Sequence, residues 1–335
     1  MHDLAVKCRN IWPGLGITAI TGMAALFLSE HYHAPAMLFA LLLGMAVSFL
    51  YQDDKPCASG IEFTASTLLR AGVVLLGLRI ALGDLAVLGW KTALWLAGAI
   101  FFTIVLGIVL AKFLGLQKRF GALTGGSVSI CGASAALAIS TILPKGENHE
   151  RDTLLTVIGV TAMSTIAMVV YPIVVDQLGM NDTEAGIFLG GTIHDVAQVV
   201  GAGYSVSQDA GDMATLTKLV RVAMLVPVVI IMMMVIKRFY TAKNQADSAN
   251  VPKMPLFLVG FILLMLLNSF VALPSVVIET GTSISRFFLV VSITAIGMKS
   301  NLGKLAEVGV LPIVIIVTET LWIGLFILGY LYLIK

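Results

Sequence analysis

Apolar positions in this chain neither alternate with polar ones nor recur at the spacing of a helix with one wet face. They come in long continuous runs separated by short polar stretches. A helix crosses a bilayer with about 20 apolar residues. On that measure the runs predict helices near 12–29, 34–51, 62–80, 88–111, 119–143, 153–177, 184–204, 214–236, 255–272, 284–298 and 308–334, about eleven in all. The strands of a membrane barrel would alternate, so continuous runs argue against one. The expected class is an all-α membrane protein. Two runs are interrupted by charge, 62–80 by Arg70 and 184–204 by His194 and Asp195. The run from Ile11 to Leu28 follows Lys7 and Arg9, as the core of a signal peptide would. It is long for such a core and further runs follow, so it reads as a retained first helix.

Composition fits this reading. Of 335 residues, 58% are hydrophobic and 12% charged; a soluble domain carries about twice that charged fraction. The mean hydropathy is +0.98. Lys and Arg are scattered through short loops, with no basic stripe to suit nucleic acid. Cys8, Cys57 and Cys131 are isolated, with no pairing framework and no metal-ligand spacing. There is no phosphate-cradling Gly-x-x-x-x-Gly-Lys motif and no nucleophile–base constellation. The expectation is therefore not an enzyme, with no cofactor and no metal. The longest polar stretch, Lys237 to Pro255, reads as a linker. It divides the chain into 1–240 with about eight spans, a cytoplasmic linker at 241–254, and 255–335 with about three, all within one integrated transmembrane domain. With eleven spans, Lys7, Arg9, Lys112, Lys118, Arg119, Lys237, Arg238, Lys243 and Lys253 fall on one side, expected to be cytoplasmic. Arg79, Lys91, Lys145, Arg151, Lys218, Arg221, Arg286 and Lys335 then fall on the other.

An internal repeat points to transport. Leu75–Gly89 aligns with Ala295–Gly309: Gly77, Leu82, Gly83, Leu85, Ala86 and Gly89 match Gly297, Leu302, Gly303, Leu305, Ala306 and Gly309, and Arg79 matches Lys299. The copies end the third and tenth spans, so they have opposite orientations, the inverted repeat of many secondary transporters. The alternative is chance likeness between two Gly- and Leu-rich helix ends.

Two segments can carry a site. Gly125 to Ser140 holds Gly125, Gly126 and Gly132 within eight residues at membrane depth. Each Gly costs a helix about 1 kcal/mol relative to Ala, so the helix is expected to break. A break frees backbone groups and is tolerated only where protein covers it or it lines a cavity. The second half-helix would begin near Cys131–Ser134 and present N–H groups to an anion. The alternative is a stripe of small residues, Ser127, Cys131, Ser134 and Ala138, for close helix packing. Gly190 to Gly203 places His194 and Asp195 in an apolar run, with Gln198 one turn on. Charges in a span usually face a cavity or an ion path. A His/Asp pair can exchange a proton near neutrality; alternatively it is a polar tie between helices. Lys218 and Arg221 share a helix face and would attract an anion or snorkel to the interface. Arg70 is expected to pair with an acid or a carbonyl. Arg79 and Lys299 would add positive charge or merely satisfy helix-end carbonyls.

The string Gly126-Ser-Val-Ser-Ile-Cys-Gly-Ala-Ser-Ala-Ala136 resembles a signature of the sulfate exporter family, the YeiH-like bacterial inner-membrane proteins. Thr192-Ile-His-Asp-Val-Ala-Gln-Val-Val-Gly-Ala-Gly203 and Thr215-Leu-Thr-Lys-Leu-Val-Arg-Val222 resemble two more. The resemblance covers nearly the whole chain. It implies ten or eleven spans, inverted repeats with crossed broken helices, and sulfate or a related sulfur oxyanion as substrate. The expected function is a secondary transporter of a small anion. Ser127, Ser129, Cys131, Gly132, Ser134, Thr192 and Gln198 would bind it. His194 and Asp195 would couple it to protons, and Lys218, Arg221, Arg79 and Lys299 would attract it. The expected partners are a small inorganic or organic anion and the lipid bilayer, with a homodimer as one assembly and no nucleic acid. The alternatives are a cation/proton antiporter using Asp195, and a non-transporting membrane scaffold or sensor.

Overall fold

The computed structural model describes residues 2–32, 36–51, 56–80, 82–144, 148–240, 256–271, 273–300 and 309–334. Helices make up nearly all of these. They are α1 (His2–Tyr32), α2 (Ala36–Ala46), α3 (Ala58–Phe63), α4 (Leu69–Leu76), α5 (Leu82–Phe113), α6 (Lys118–Ser129), α7 (Ala133–Ile142) and α8 (His149–Gln177). They continue as α9 (Asp182–Thr192), α10 (Val196–Val206), α11 (Gln208–Ala223), α12 (Leu225–Tyr240), α13 (Leu256–Phe270), α14 (Ser275–Lys299) and α15 (Val310–Ile334). One π turn, Thr64–Leu68, joins α3 to α4. Seven segments are long and apolar enough to cross a membrane: Asn10–Tyr32, Ala58–Leu76, Ala86–Phe113, His149–Gln177, Gln208–Ile236, Ser275–Lys299 and Val310–Leu333. Phe27, Leu94, Phe101 and Leu325 stay exposed on them, as lipid-facing residues do. This is an all-α, multi-pass membrane protein. The stretch 241–255, which includes the linker, and 301–308, most of the second repeat copy, lie outside the described residues.

The predicted spans 119–143 and 184–204 are not crossings. Each is a helical hairpin that enters and returns. Helix α6 breaks at Ile130–Gly132, and α7 then comes back to where α6 began: Arg119 at the start of α6 donates to the Pro144 carbonyl beyond the end of α7, at 3.3 Å. Arg119 also lies 3.7 Å from Asp152, in the first turn of α8. Helix α9 breaks at Ile193–Asp195 in the same way, and the Ser207 hydroxyl after α10 donates to the Asp182 carboxylate at the start of α9. The arms have 12, 10, 11 and 11 residues. At 1.5 Å per residue each reaches about 15–18 Å, half of the about 30 Å hydrocarbon core. Pattern length alone made each pair of half-depth arms look like one full span.

The hairpins enter from opposite faces. Helix α8 has 29 residues and so is about 43 Å long, a full crossing between the end of the first hairpin and the start of the second. The face holding Gln117 and Asn148 is termed the near face, and the one holding Asn181 and Ser207 the far face. Helices α2 and α13 are shorter apolar helices of 11 and 15 residues, so among the described residues there are seven segments of crossing length and two re-entrant hairpins. The hairpins, α5, α8, α11, α12 and α15 form one unit. Helices α1–α4, α13 and α14 form the other. In the second unit α3–α4 and α14 run antiparallel: Ile61 and Ala65 pack with Ala295 and Met298, and the Ser285 hydroxyl donates to the Gly72 carbonyl at 2.7 Å. The described ends of the 75–89 and 295–309 copies thus have opposite directions.

The first hairpin sits close against α5. A Cβ on Gly121 would lie 2.0 Å from the Gly107 carbonyl oxygen, and one on Gly107 would lie 2.3 Å from that of Gly121. Only two glycines let these backbones meet.

Candidate functional site

The hairpin tips meet in the protein interior. Gly132 has φ +63°, a left-handed conformation that favours glycine. A Cβ placed there would lie 3.6 Å from the Cβ of His194 on the other tip. Both tips expose carbonyls at the C-terminal, negative ends of α6 and α9. Helix α11 supplies the cations that satisfy them. Lys218 Nζ donates to the carbonyls of Ile130 (2.6 Å) and Ile193 (2.9 Å). Arg221 Nε donates to Ser129 (2.9 Å), and its Nη2 to Val128 (3.0 Å) and Ser129 (2.7 Å). Its Nη1 donates to Gly190 (3.0 Å) and Ile193 (3.1 Å). Both side chains are buried. They hold the two tips together as one body and face no open space.

A cavity of about 450 Å³ opens beside the tips. Cys131, Ala133 and Ser134 from the first hairpin and Asp195, Ala197 and Gln198 from the second form its floor. Its walls come from α8 (Thr161, Thr165), α3–α4 (Ser66, Arg70) and the end of α14 (Lys299, Ser300). These wall residues run from mid-depth to the near face. Helix α7 begins at the floor with no side-chain cap on its N-terminal turn. Helix α10 is capped by Asp195, whose Oδ1 accepts from the Ala197 N–H at 2.9 Å. The Asp195 N–H in turn donates to Ser164 Oγ at 3.1 Å. Lys299 pairs with Glu62 at 2.5 Å. Among the described residues Arg70 has no carboxylate within ion-pair distance.

The family model described as Conserved hypothetical protein 698 matches residues 13–316. The UPF0324 membrane protein of Chlorobaculum tepidum is 49% identical over 97% of this chain and 90% of its own length. The UPF0324 membrane protein TauZ of Paracoccus denitrificans is 46% identical over 94% of this chain and 93% of its own. The chain belongs to the UPF0324 membrane-protein family. No solved structure matches it.

In this UPF0324 protein the sequence-predicted site residues divide into three groups. Cys131, Ser134, Asp195, Gln198 and Lys299 line the cavity. Ser127, Ser129 and Thr192 do not. They are buried, and their hydroxyls bond the Leu123, Gly126 and Phe188 carbonyls of their own helices. Gly132 makes the tip contact with His194. Lys218 and Arg221 are buried at the tips, where the orphan carbonyls of both hairpins take their donors. Arg79 lies on the far face, paired with Asp212 and Asp209. The adjacent His194 and Asp195 have different surroundings. His194 is buried against α15, its Nε2 2.9 Å from Thr320 Oγ1, whereas Asp195 turns to the cavity.

Three features were missed. Arg70 was expected to be paired, and it is a cavity wall. Glu319 is a second intramembrane carboxylate, buried, with Oε1 accepting from Thr124 Oγ1 at 2.8 Å. Its signal was plain, one acid inside the apolar run 308–334. The third is a repeat at the hairpins themselves: Gly121-Ala-Leu-Thr-Gly-Gly-Ser127 and Gly186-Ile-Phe-Leu-Gly-Gly-Thr192 share their glycine spacing and closing hydroxyl. Each hairpin is followed by an apolar span of 29 residues, His149–Gln177 in α8 and Gln208–Ile236 across α11 and α12.

Proposed function

We propose that this protein is a secondary transporter of a small anion, working by alternating access. The observation that carries the reading is the pair of re-entrant hairpins from opposite faces whose tips floor a polar cavity. Backbone breaks at membrane depth are tolerated where they line a solute path. The uncapped N-terminal turn of α7, with Arg70 and Lys299 on the facing walls, favours an anion. Sulfate or a related sulfur oxyanion fits such donors, and the family resemblance points the same way. Arg70, with no carboxylate within ion-pair distance among the described residues, supports an anion as the solute, with Asp195 as the opposing charge on the same cavity.

The near face is read as cytoplasmic, in a bacterial inner membrane. Lys112, Lys118, Arg119, Arg151, Lys237, Arg238 and Lys299 lie on that side, against Arg79, Lys91 and Arg286 on the far side. Re-entry of the first hairpin moves Arg151 to the near face and sharpens the bias. The cavity is then open to the cytoplasm.

A second reading, a cation/proton antiporter, is favoured by one observation: Asp195 lines the cavity. Flux in proteoliposomes separates the two. Labelled sulfate and a panel of small inorganic and organic anions should move faster than through protein-free vesicles. Flux equal to protein-free vesicles across the panel overturns the anion reading. A sodium-driven proton signal lost in Asp195→Asn would support the antiporter instead.

A further inference from the structure

The interface between the two units has a second opening, on the far face. A cavity of about 50 Å³ is lined there by Met37, Leu76, Tyr204, Gln208, Thr282 and Arg286. Three of the helices that bound it, α4, α10 and α14, also line the large near-face cavity. Beside it an ion pair ties the units together. Arg79, just after α4, places Nε 2.5 Å from Asp212 Oδ2 on α11 and Nη2 3.6 Å from Asp209. Tyr204, which lines the small cavity, donates its hydroxyl to Asp212 Oδ1 at 2.6 Å. The arrangement is open at one end of a shared interface and tied shut at the other.

We propose that the small cavity is the closed far-face mouth of the same anion path, and that Arg79 with Asp212 and Asp209 is the latch that keeps it shut. This rests on the alternating-access reading. Arg286 lines this mouth, and releasing the latch frees the charge of Arg79 at the same face, which suits an anion path. The internal repeats name the counterpart. Arg79 aligns with Lys299, and α11, with Asp209 second in it, corresponds to α8, with Glu150 second and Asp152 fourth. Lys299 pairs with Glu62 of its own unit while the near face is open. In the opposite state it leaves Glu62 and takes the acids in the first turn of α8, closing the near face as Arg79 closes the far one.

The test needs no solute. In a background lacking Cys8, Cys57 and Cys131, Ser134→Cys reports the near-face cavity and Thr282→Cys the far-face mouth. Each is labelled with a membrane-impermeant maleimide in vesicles of known sidedness. Arg79→Ala should raise Thr282→Cys labelling about tenfold, the scale of one charge-assisted bond, and lower Ser134→Cys labelling. Lys299→Ala should shift both in the opposite direction. The charge swap Arg79→Asp with Asp212→Arg should return the parent pattern, which separates the latch from misfolding. Labelling unchanged by Arg79→Ala, or raised at both sites and not restored by the swap, overturns the proposal. Should labelling shift in protein that moves no anion, the latch stands and the anion reading fails.

Discussion

Gly132 faces His194 across the gap between two hairpins that enter the protein from opposite faces, leaving room there for no more than one methyl group in contact with the His194 Cβ. Any side chain on Gly132 must hold φ +63° and also meet the His194 backbone. Gly132→Ala is therefore expected to destabilise the tip by about 1–2 kcal/mol. Thermal unfolding in detergent should show a lowered midpoint, with flux reduced further than stability alone accounts for.

The cations under the tips give a sharper expectation. Arg221→Met leaves the Val128, Ser129 and Gly190 carbonyls without their side-chain donors at membrane depth. The loss should be about 3 kcal/mol or more. Arg221→Lys should rescue little, since an ammonium cannot reproduce the planar fork that reaches both tips. Unfolding midpoints of the two variants, compared with wild type, check this.

Cavity and buried hydroxyls differ in reach. Ser134 lines the cavity and is exposed, whereas Ser127 is buried with its hydroxyl bonded to Leu123. With the native cysteines replaced, Ser134→Cys should react with a hydrophilic maleimide from the near face and Ser127→Cys should not. Equal reactivity would mean that the floor of the cavity is misassigned.

Arg70 lines the cavity with no carboxylate within ion-pair distance among the described residues. Arg70→Ala should raise the KM for a transported anion by about tenfold or more, with a smaller effect at high salt. Arg70→Lys should recover part of the loss. An Arg70→Ala protein with unchanged KM would remove this residue from the binding site.

Much of this was legible in the sequence. Continuous apolar runs announced a polytopic helical protein, and the Gly-rich stretch at 125–134 marked one place where a helix stops at mid-depth; His194 and Asp195 marked the other as polar, without announcing that the helix stops there. Their meeting was legible too, since isolated polar groups at that depth need one another. What the pattern could not convey was direction. An arm that turns back and an arm that continues have the same residues up to the break, and only Arg119 reaching Pro144, or Ser207 reaching Asp182, tells them apart. The same blindness put Lys218 and Arg221 near a surface. Placing them at mid-membrane requires knowing that α11 starts at the far face and passes the tips one half-thickness in. Roles assigned by residue type alone, as for Ser127 and Thr192, missed that a helical hydroxyl often turns to the carbonyl one turn back.

The transport reading depends most on the two hairpins entering from opposite faces, and sidedness mapping tests that directly. Single cysteines at Lys118, Asn148, Asp182 and Ser207 can be labelled with an impermeant reagent in vesicles of known orientation. The structure predicts that positions 118 and 148 react from one face and positions 182 and 207 from the other. Opposite-face labelling of 118 and 148, the result for an unbroken crossing helix, would contradict it.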